Sequence, residues 1–440
     1  MKRYDTIIIG AGPAGLAAAQ ELVERQQVLV VDEGTWGGTC PNFGCDPKKM
    51  LYSAVQAKNW SGRMTNVGLV GIPQINWPRL MAFKRRYTEP IPERTRASLQ
   101  QRGVATASGA VTFLDPYTIE VAGEPYRADH FVIATGRTPV KPEIIGADLL
   151  FTSTDFLDLD QLPHTVAFIG GGFVSLELAT IAAAAGAQVH VIHHNRRLLR
   201  AFPEEATKRL LEAMQHMGVK FHFDATVTEA TAVKSGVHLV GQAVDLTVGK
   251  AFVGVGRAPA LPMGLPNAGV VTTQAGITVN DHLQTSMPHI YAAGDVVAKA
   301  QPKLTPVANF EGRYVGLQLL GDEAAISYPP TPEMVFGAVE VGQVGLSLAA
   351  AQAEPKRYTV LDQAVGQWYT YNRIQDASAQ VITIVDRTNG QLAGAVVVGA
   401  QMEELLNLFT MAIAAKLPVD TIKHWLFTKP SAASDLPYLL

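Results

Sequence analysis

Residues 6–32 carry a pattern that few folds can accommodate. Thr6-Ile7-Ile8-Ile9 is a short apolar run suited to a buried parallel strand. Gly10-Ala11-Gly12-Pro13-Ala14-Gly15 follows, then a helical stretch from Leu16 to Arg25, then a second apolar strand, Val28 to Val31, ending in Asp32. Glycines at 10, 12 and 15 let the backbone approach a pyrophosphate, and the helix N-terminus favours its negative charge. Asp32 at the strand end can bind a ribose hydroxyl pair. Strand, turn, helix, strand and acid arrive in the order that a dinucleotide-binding α/β fold requires. The basic Met1-Lys2-Arg3 before an apolar run imitates a signal peptide, but the glycines and the helix interrupt it.

The pattern recurs. Thr165 to Ile169 is apolar, Gly170-Gly171-Gly172-Phe173-Val174-Ser175 follows, a helix runs through Ala185, and Gln188 to Ile192 is the second strand. Ser175 replaces the third glycine and is still small enough for close helix–strand packing. At the position of Asp32 stands His193, followed by His194, Asn195, Arg196, Arg197 and Arg200. A carboxylate there repels a 2′-phosphate, whereas a cationic cluster binds it through charge-assisted hydrogen bonds. The first site therefore reads as FAD, the second as NADPH, with NADH the lesser alternative.

Cys40 and Cys45 are the only cysteines of the 440 residues, and both lie in Gly37-Gly38-Thr39-Cys40-Pro41-Asn42-Phe43-Gly44-Cys45-Asp46-Pro47-Lys48. Their spacing suits a dithiol/disulfide couple across one helical turn. A helix N-terminus at Cys40 is expected to favour its thiolate, the form that attacks other sulfurs. A zinc site needs four ligands and no further Cys–His cluster follows, so no metal is expected.

Two dinucleotide folds and a cysteine pair make the chain resemble the pyridine nucleotide–disulfide oxidoreductases, the group of glutathione reductase, dihydrolipoamide dehydrogenase and mercuric reductase. Ala134-Thr135-Gly136-Arg137-Thr138-Pro139 is similar to the segment closing the first FAD-binding lobe, and Val255-Gly256-Arg257-Ala258-Pro259 to its counterpart after the nicotinamide lobe. Ile290-Tyr291-Ala292-Ala293-Gly294-Asp295 resembles the second FAD fingerprint, and Leu304-Thr305-Pro306-Val307-Ala308 the start of a helix aimed at the flavin.

The resemblance implies an electron route from NADPH through flavin to the disulfide. Cys45 takes the flavin-side position and Cys40 that of the interchange thiol. Lys48 matches a lysine near the reactive flavin nitrogen, Glu177 its ion-pair partner, and Phe173 an aromatic that covers the flavin until nicotinamide displaces it. Gly38, Thr39, Thr135, Gly136, Gly256, Gly294, Asp295 and Thr305 join Gly10, Gly12, Gly15 and Asp32 as expected cofactor contacts. Gly170, Gly172, His194 and Arg200 are the expected contacts in the second fold. A fixed cation beside the flavin stabilises the negative charge of its reduced form.

Length and composition fit this architecture. A chain of 440 residues exceeds one core, and net charge −3 with 17% charged residues argues against nucleic acid or an anionic membrane surface. No apolar run reaches the length of a bilayer span. Two cysteines used for redox chemistry fit a reducing cytoplasm. Pro329-Pro330 and Pro332 mark a boundary. Beyond it Ala379 to Val385 reads as a strand, Asp386 to Gly390 as a hairpin with an Asn-Gly turn, Leu392 to Val398 as the return strand, and Glu403 to Ala415 as an amphipathic helix. The expected class is α/β, with two Rossmann-like dinucleotide-binding domains (FAD and NAD(P)H) plus a C-terminal α+β dimerisation domain. The expected segments are 1–147 (FAD, first part), 148–261 (NAD(P)H), 262–330 (FAD, second part) and 331–440 (interface). The resemblance implies a homodimer.

One departure bears on the acceptor. Relatives carry a His-Pro-Thr phrase near the C-terminus, with a glutamate five residues after the histidine, as acid/base for thiol interchange. Aligned on Pro430, this chain has Lys429 and Ser434 at those positions. Arg313 matches an arginine that relatives use near substrate, while Gln20 and Pro13 replace other substrate-side residues. The first reading is therefore reduction of a small-molecule or protein disulfide. The second is the same scaffold reducing a metal ion, quinone or other electrophile. A third, of another class, is a non-catalytic FAD-binding redox sensor.

Overall fold

The computed structural model describes residues 1–440, which form two compact units. One comprises Met1–Met50, Met81–Val140 and Gly256–Ser327; the other comprises Leu51–Leu80, Lys141–Val255 and Tyr328–Leu440.

In the first unit the glycine-turn pattern becomes β1 (Lys2–Ile9), α1 (Pro13–Leu22) and β2 (Val28–Asp32). Pro13 lies in the first turn, where its missing N–H is no loss, so α1 starts before Leu16 and ends before Arg25. β1 also starts earlier than its apolar run, because Lys2 to Tyr4 pair with the strand Glu124–Ile133 through polar, half-exposed residues. β1 is parallel to both neighbours, with Ile8 between Val30 and Val132. Its two faces serve two cores. Ile7 and Ile9 pack with Phe113 and Phe131, whereas Ile8 packs with Ala14, Ala18 and Leu22 of α1. Burial on both faces is why this strand reads as a continuous apolar run. Ile290–Ala292 joins the same sheet beside Glu124–Ile133, and the helix Thr305–Leu319 lies on α1, its Ala308 and Val315 sharing that core.

The second unit repeats the motif as the strand Thr165–Ile169, the helix Phe173–Ala184 and the strand Gln188–Ile192. Lys220–His222 and Lys250–Val253 extend this sheet in parallel. The C-terminal region is a five-stranded antiparallel sheet in the order Glu333–Phe336, Glu340–Gly345, Gln391–Gly399, Gln380–Asp386, Tyr358–Ala364. The helix Glu403–Ala414 covers one face through Leu405, Leu406, Phe409 and Ala412. The hairpin differs from its expected form. Asp386 pairs with Gln391, so residues 387–390 form a longer loop instead of a two-residue Asn-Gly turn. The Asp386 carboxylate shapes it, accepting the Thr388 backbone N–H at 2.9 Å and its hydroxyl at 2.6 Å.

Candidate active site

Gly38 precedes a short helix, α2 (Thr39–Phe43), and Gly44 separates it from α3 (Cys45–Met64). The two cysteines therefore straddle a helix break instead of sharing one helical turn, and both are thiols, Cys40 half-buried and Cys45 exposed. The Cys45 Sγ lies 3.7 Å from the Thr305 hydroxyl, at the first residue of the helix Thr305–Leu319. The Cys40 Sγ lies 3.8 Å from Asp46 Oδ1, and Asp46 Oδ2 accepts the Tyr87 hydroxyl at 3.0 Å. Tyr87 belongs to α4 (Trp77–Thr88).

The two sulfurs differ in electrostatics. Cys45 is pulled down to about 6 by the hydrogen bond from Cys40, then by that from Thr305 and by the charges of Lys48 and Lys49, against partial desolvation. Cys40 is pushed far up by the proton it holds toward Cys45, by burial, and by the negative charges of Cys45 and Asp46. This corrects the expectation that the helix N-terminus at Cys40 favours a thiolate there. α2 has 5 residues, whereas Cys45 opens a helix of 20 residues with two lysines in its first turns. Negative charge is therefore favoured on Cys45, and Lys48 is buried close behind it in sequence.

The first glycine motif fits a dinucleotide. A side chain at Gly10, which has φ +110°, would run into Ala134 O, and one at Gly38 would run into Gly12 Cα. Backbone is thus bare along Gly10, Gly12 and Gly38, beside Thr39. Gly15 packs against Gly10 O, the close helix–strand approach its position demands. Thr135 Oγ1 is buried with no partner in the protein, a polar atom awaiting a ligand's hydrogen bond. Beside it Gly136 has φ +70° and open space before it. Asp32 accepts the Ala11 and Gly34 backbone N–H groups at 2.8 Å each, which fixes its carboxylate while leaving acceptor capacity. The two family-like segments also pair with each other, Arg257 opposite Pro139 and Pro259 opposite Arg137. Arg137 ties them to the third, donating to Asp295 O at 2.8 Å and Arg257 O at 2.9 Å. Sequence reasoning missed that clamp. The Asp295 carboxyl is raised by burial and lowered by Lys303, Arg257 and Arg137, in that order.

The second motif fits a nicotinamide dinucleotide with a narrower cationic patch than expected. Gly170 again has a positive φ, +117°, with a neighbouring backbone where a side chain would sit, while Gly172 is clear. Ser175 is accommodated because Gly254 faces it, a compensation that the motif itself does not reveal. The His193 ring packs on Gly171, its Nδ1 buried without a partner, and burial lowers its pKa. It supplies no fixed charge. Arg196 is paired with Asp224 at 2.8 Å and Arg197 with Glu204 at 3.3 Å. His194 and Arg200 remain, 3.4 Å apart, with Asn195 bonded to His194 at 2.8 Å. Phe173 is exposed at the head of its helix, and Glu177 is buried, accepting the Phe336 backbone N–H at 2.8 Å.

Near the C-terminus Lys429 is exposed. Ser434 does not face it; its hydroxyl turns back to Ser431 O at 2.7 Å. The carboxylate that feels the Lys429 charge is Asp435, one residue on, whose pKa is raised by burial and lowered by Thr370 and Lys429. Alignment on the glutamate position could not find it. Arg313 forms an ion pair with Glu21 at 3.4 Å on the protein surface, and Gln20 is exposed. No group of three or more His, Cys, Asp or Glu side chains is arranged to hold a metal ion, and no helix is long and apolar enough to cross a membrane.

Comparison with known proteins extends this geometry. The pyridine nucleotide-disulphide oxidoreductase profile matches residues 4–312, and the dimerisation domain of the same family matches residues 331–438. A glutathione reductase of Nostoc sp. is 30% identical over 439 residues, covering 94% of each chain. A dihydrolipoyl dehydrogenase of Bacillus subtilis is 27% identical over 451 residues, covering 98% of this chain and 96% of that one. Among solved structures, the HOCl-induced flavoprotein disulfide reductase RclA from Escherichia coli superposes with a TM-score of 0.89 at 24% identity, over 99% of both chains. A Cu(II) complex of RclA gives 0.89 at 23% identity, over 98% of both. These last two likenesses speak to the fold.

Proposed function

The chain belongs to the pyridine nucleotide-disulphide oxidoreductase family, and from that premise we propose that it carries electrons from NADPH through FAD and the Cys40–Cys45 couple to a disulfide acceptor. The carrying observation is the asymmetry of the cysteine pair: the Cys45 Sγ lies 3.7 Å from the Thr305 hydroxyl and opens the helix that carries Lys48 and Lys49, whereas the Cys40 Sγ faces the Asp46 carboxylate at 3.8 Å, so negative charge is favoured on Cys45. Bound FAD supplies hydride acceptance and two-electron transfer to sulfur. Gly10, Gly12, Gly38, Thr39, Asp32, Thr135, Gly136, Gly256, Gly294 and Asp295 are the residues to hold it. Thr305 and Lys48 stabilise negative charge at Cys45. Lys48 and Glu177 are carried forward as the charged groups serving the ring, and Phe173 as its aromatic cover. Gly170 and Gly172 would receive the nicotinamide cofactor's pyrophosphate. Arg200 offers a cation, with the His194 ring nitrogen 3.4 Å from it, where a carboxylate would otherwise refuse a 2′-phosphate, which supports NADPH over NADH. The dimerisation-domain match supports a homodimer.

Disulfide reduction and direct flavin-to-acceptor transfer are separated by Cys40→Ser. Disulfide turnover with NADPH should collapse at least a hundredfold in that variant; undiminished turnover would refute the route through Cys40. A second reading, reduction of a metal ion or quinone, is favoured by Lys429 at the place of the acid/base histidine, since such acceptors need no thiol protonation. In the first reading Lys429, set against Asp435, supplies positive charge to an anionic acceptor or a departing thiolate. Lys429→Ala should then slow disulfide turnover while NADPH consumption in the first half-reaction stays at its original rate. An unaltered steady-state rate would remove that role.

A further inference from the structure

Thiol–disulfide interchange moves protons as well as electrons, and the groups around Cys40 are few. They are Cys45, Asp46, Lys48 and Lys49 from the first turns of α3, Thr305 from the helix Thr305–Leu319, and Tyr87 from α4. Lys48, Lys49 and the Thr305 hydroxyl stabilise charge on Cys45. Cys45 must keep that charge for its own later attack on Cys40. The remaining acceptor is the Asp46 carboxylate, with Oδ1 3.8 Å from the Cys40 Sγ. Its other oxygen is held by the Tyr87 hydroxyl at 3.0 Å, and Tyr87 is 48% exposed, so the pair connects the thiol to solvent. Asp46 stands in the first turn of α3, where its charge suits the helix N-terminus, and its bond to Tyr87 through Oδ2 leaves Oδ1 facing the Cys40 sulfur.

We propose that Asp46, oriented by Tyr87, is the proton acceptor and donor of the interchange thiol. The proposal rests on the disulfide-reductase reading and deepens it. Cys40 Sγ attacks one sulfur of the acceptor disulfide as its proton passes to Asp46. The acceptor S–S bond breaks, and the departing sulfur takes that proton from Asp46 and leaves as a thiol. The Cys45 thiolate then attacks Cys40 Sγ, breaking the mixed disulfide. The second sulfur leaves as a thiolate that solvent protonates. The Cys40–Cys45 pair has lost two electrons and the acceptor has gained them. After the larger effects of Cys45 and of burial, the negative charge of Asp46 also opposes a thiolate on Cys40. In this way the active-site segment supplies the proton handling for which the C-terminal segment has Lys429 in place of histidine.

The test is iodoacetamide alkylation of the dithiothreitol-reduced protein across pH, each cysteine followed separately by mass spectrometry. Asp46→Asn keeps the shape and removes the charge, so the Cys40 alkylation midpoint should fall by about one unit, a tenfold gain in Cys40 thiolate at fixed pH. Tyr87→Phe removes the hydrogen bond that shares the carboxylate's negative charge, so the Cys40 midpoint should move up. The alkaline limb of disulfide turnover should follow both shifts. A midpoint within about 0.2 units of the unaltered protein in both variants, with unchanged turnover profiles, would overturn the role; 0.2 units is under twofold in thiolate. If Asp46→Asn does not fold, the upward shift in Tyr87→Phe decides alone. Failure of the parent reading looks different: no disulfide, including 5,5′-dithiobis(2-nitrobenzoate), is turned over by the unaltered enzyme, while the alkylation shifts persist.

Discussion

The Thr305 hydroxyl stands 3.7 Å from the Cys45 sulfur across 260 residues of sequence, and it favours negative charge on that sulfur. Thr305 lowers the Cys45 pKa by hydrogen bonding, after the larger effect of Cys40 itself. With the Cys45 midpoint at about 6, its thiolate is present above that pH and is lost as the pH falls through it. Thr305→Val removes one stabilising hydrogen bond, so the midpoint should rise, by up to about one unit. Ultraviolet thiolate absorbance of the reduced protein titrated from pH 4 to 9 measures it; an unmoved midpoint would mean that Thr305 only packs.

Gly15 should not tolerate a methyl group. Its added Cβ meets Gly10 O, so α1 cannot keep its distance from β1. Gly15→Ala should cost about 1–3 kcal/mol by overpacking. The purified variant should contain much less flavin, read from its visible absorbance per chain. Full flavin content and unchanged thermal stability would contradict the packing argument.

In the second fold His194 and Arg200 carry the predicted preference for a 2′-phosphate. Replacing either by Ala should raise the KM for NADPH about tenfold or more, as expected for one lost charge-assisted hydrogen bond of about 1.5–3 kcal/mol. The KM for NADH should change little. Equal effects on both cofactors would assign these residues to general surface charge instead.

Glu340 gives the fold a pH dependence unrelated to catalysis. Its carboxyl is buried and raised to about 8, by desolvation first and then by Glu403, while the Met402 N–H at 2.8 Å and Gln56 at 3.0 Å partly offset this. A raised carboxyl binds its proton more tightly folded than unfolded. Its contribution is therefore fully present below the unfolded value near 4.5 and is lost as pH rises through about 8. Tm should fall between about pH 5 and 8, and Glu340→Gln should remove most of that fall. A parallel decline in the variant would place the pH dependence elsewhere.

Much of this was legible in the sequence because it rests on local patterns. Both glycine turns, their flanking strands, the C-terminal sheet segments and the cysteine pair need only periodicity and spacing. The remainder depends on contacts distant in sequence. Tyr87 reaches Asp46 from another helix, Gly254 makes room for Ser175, and Arg137 joins three separated segments. Arg196 and Arg197 look like phosphate ligands until Asp224 and Glu204 are seen to neutralise them. The balance of charge between the two sulfurs was hidden for the same reason. A helix start can be read locally, but the charges of Lys48, Lys49 and Asp46 act through space.

The central claim is that electrons from NADPH reach the Cys40–Cys45 couple through the flavin and rest with a thiolate on Cys45. Anaerobic titration of the purified FAD-loaded protein with NADPH, followed by visible absorbance, tests it most directly. A long-wavelength thiolate-to-flavin band should grow to its maximum after one equivalent, be absent in Cys45→Ser, and discharge when a disulfide is added. Bleaching of the flavin without that band, identical in the unaltered protein and in Cys45→Ser, would take the cysteines out of the electron path.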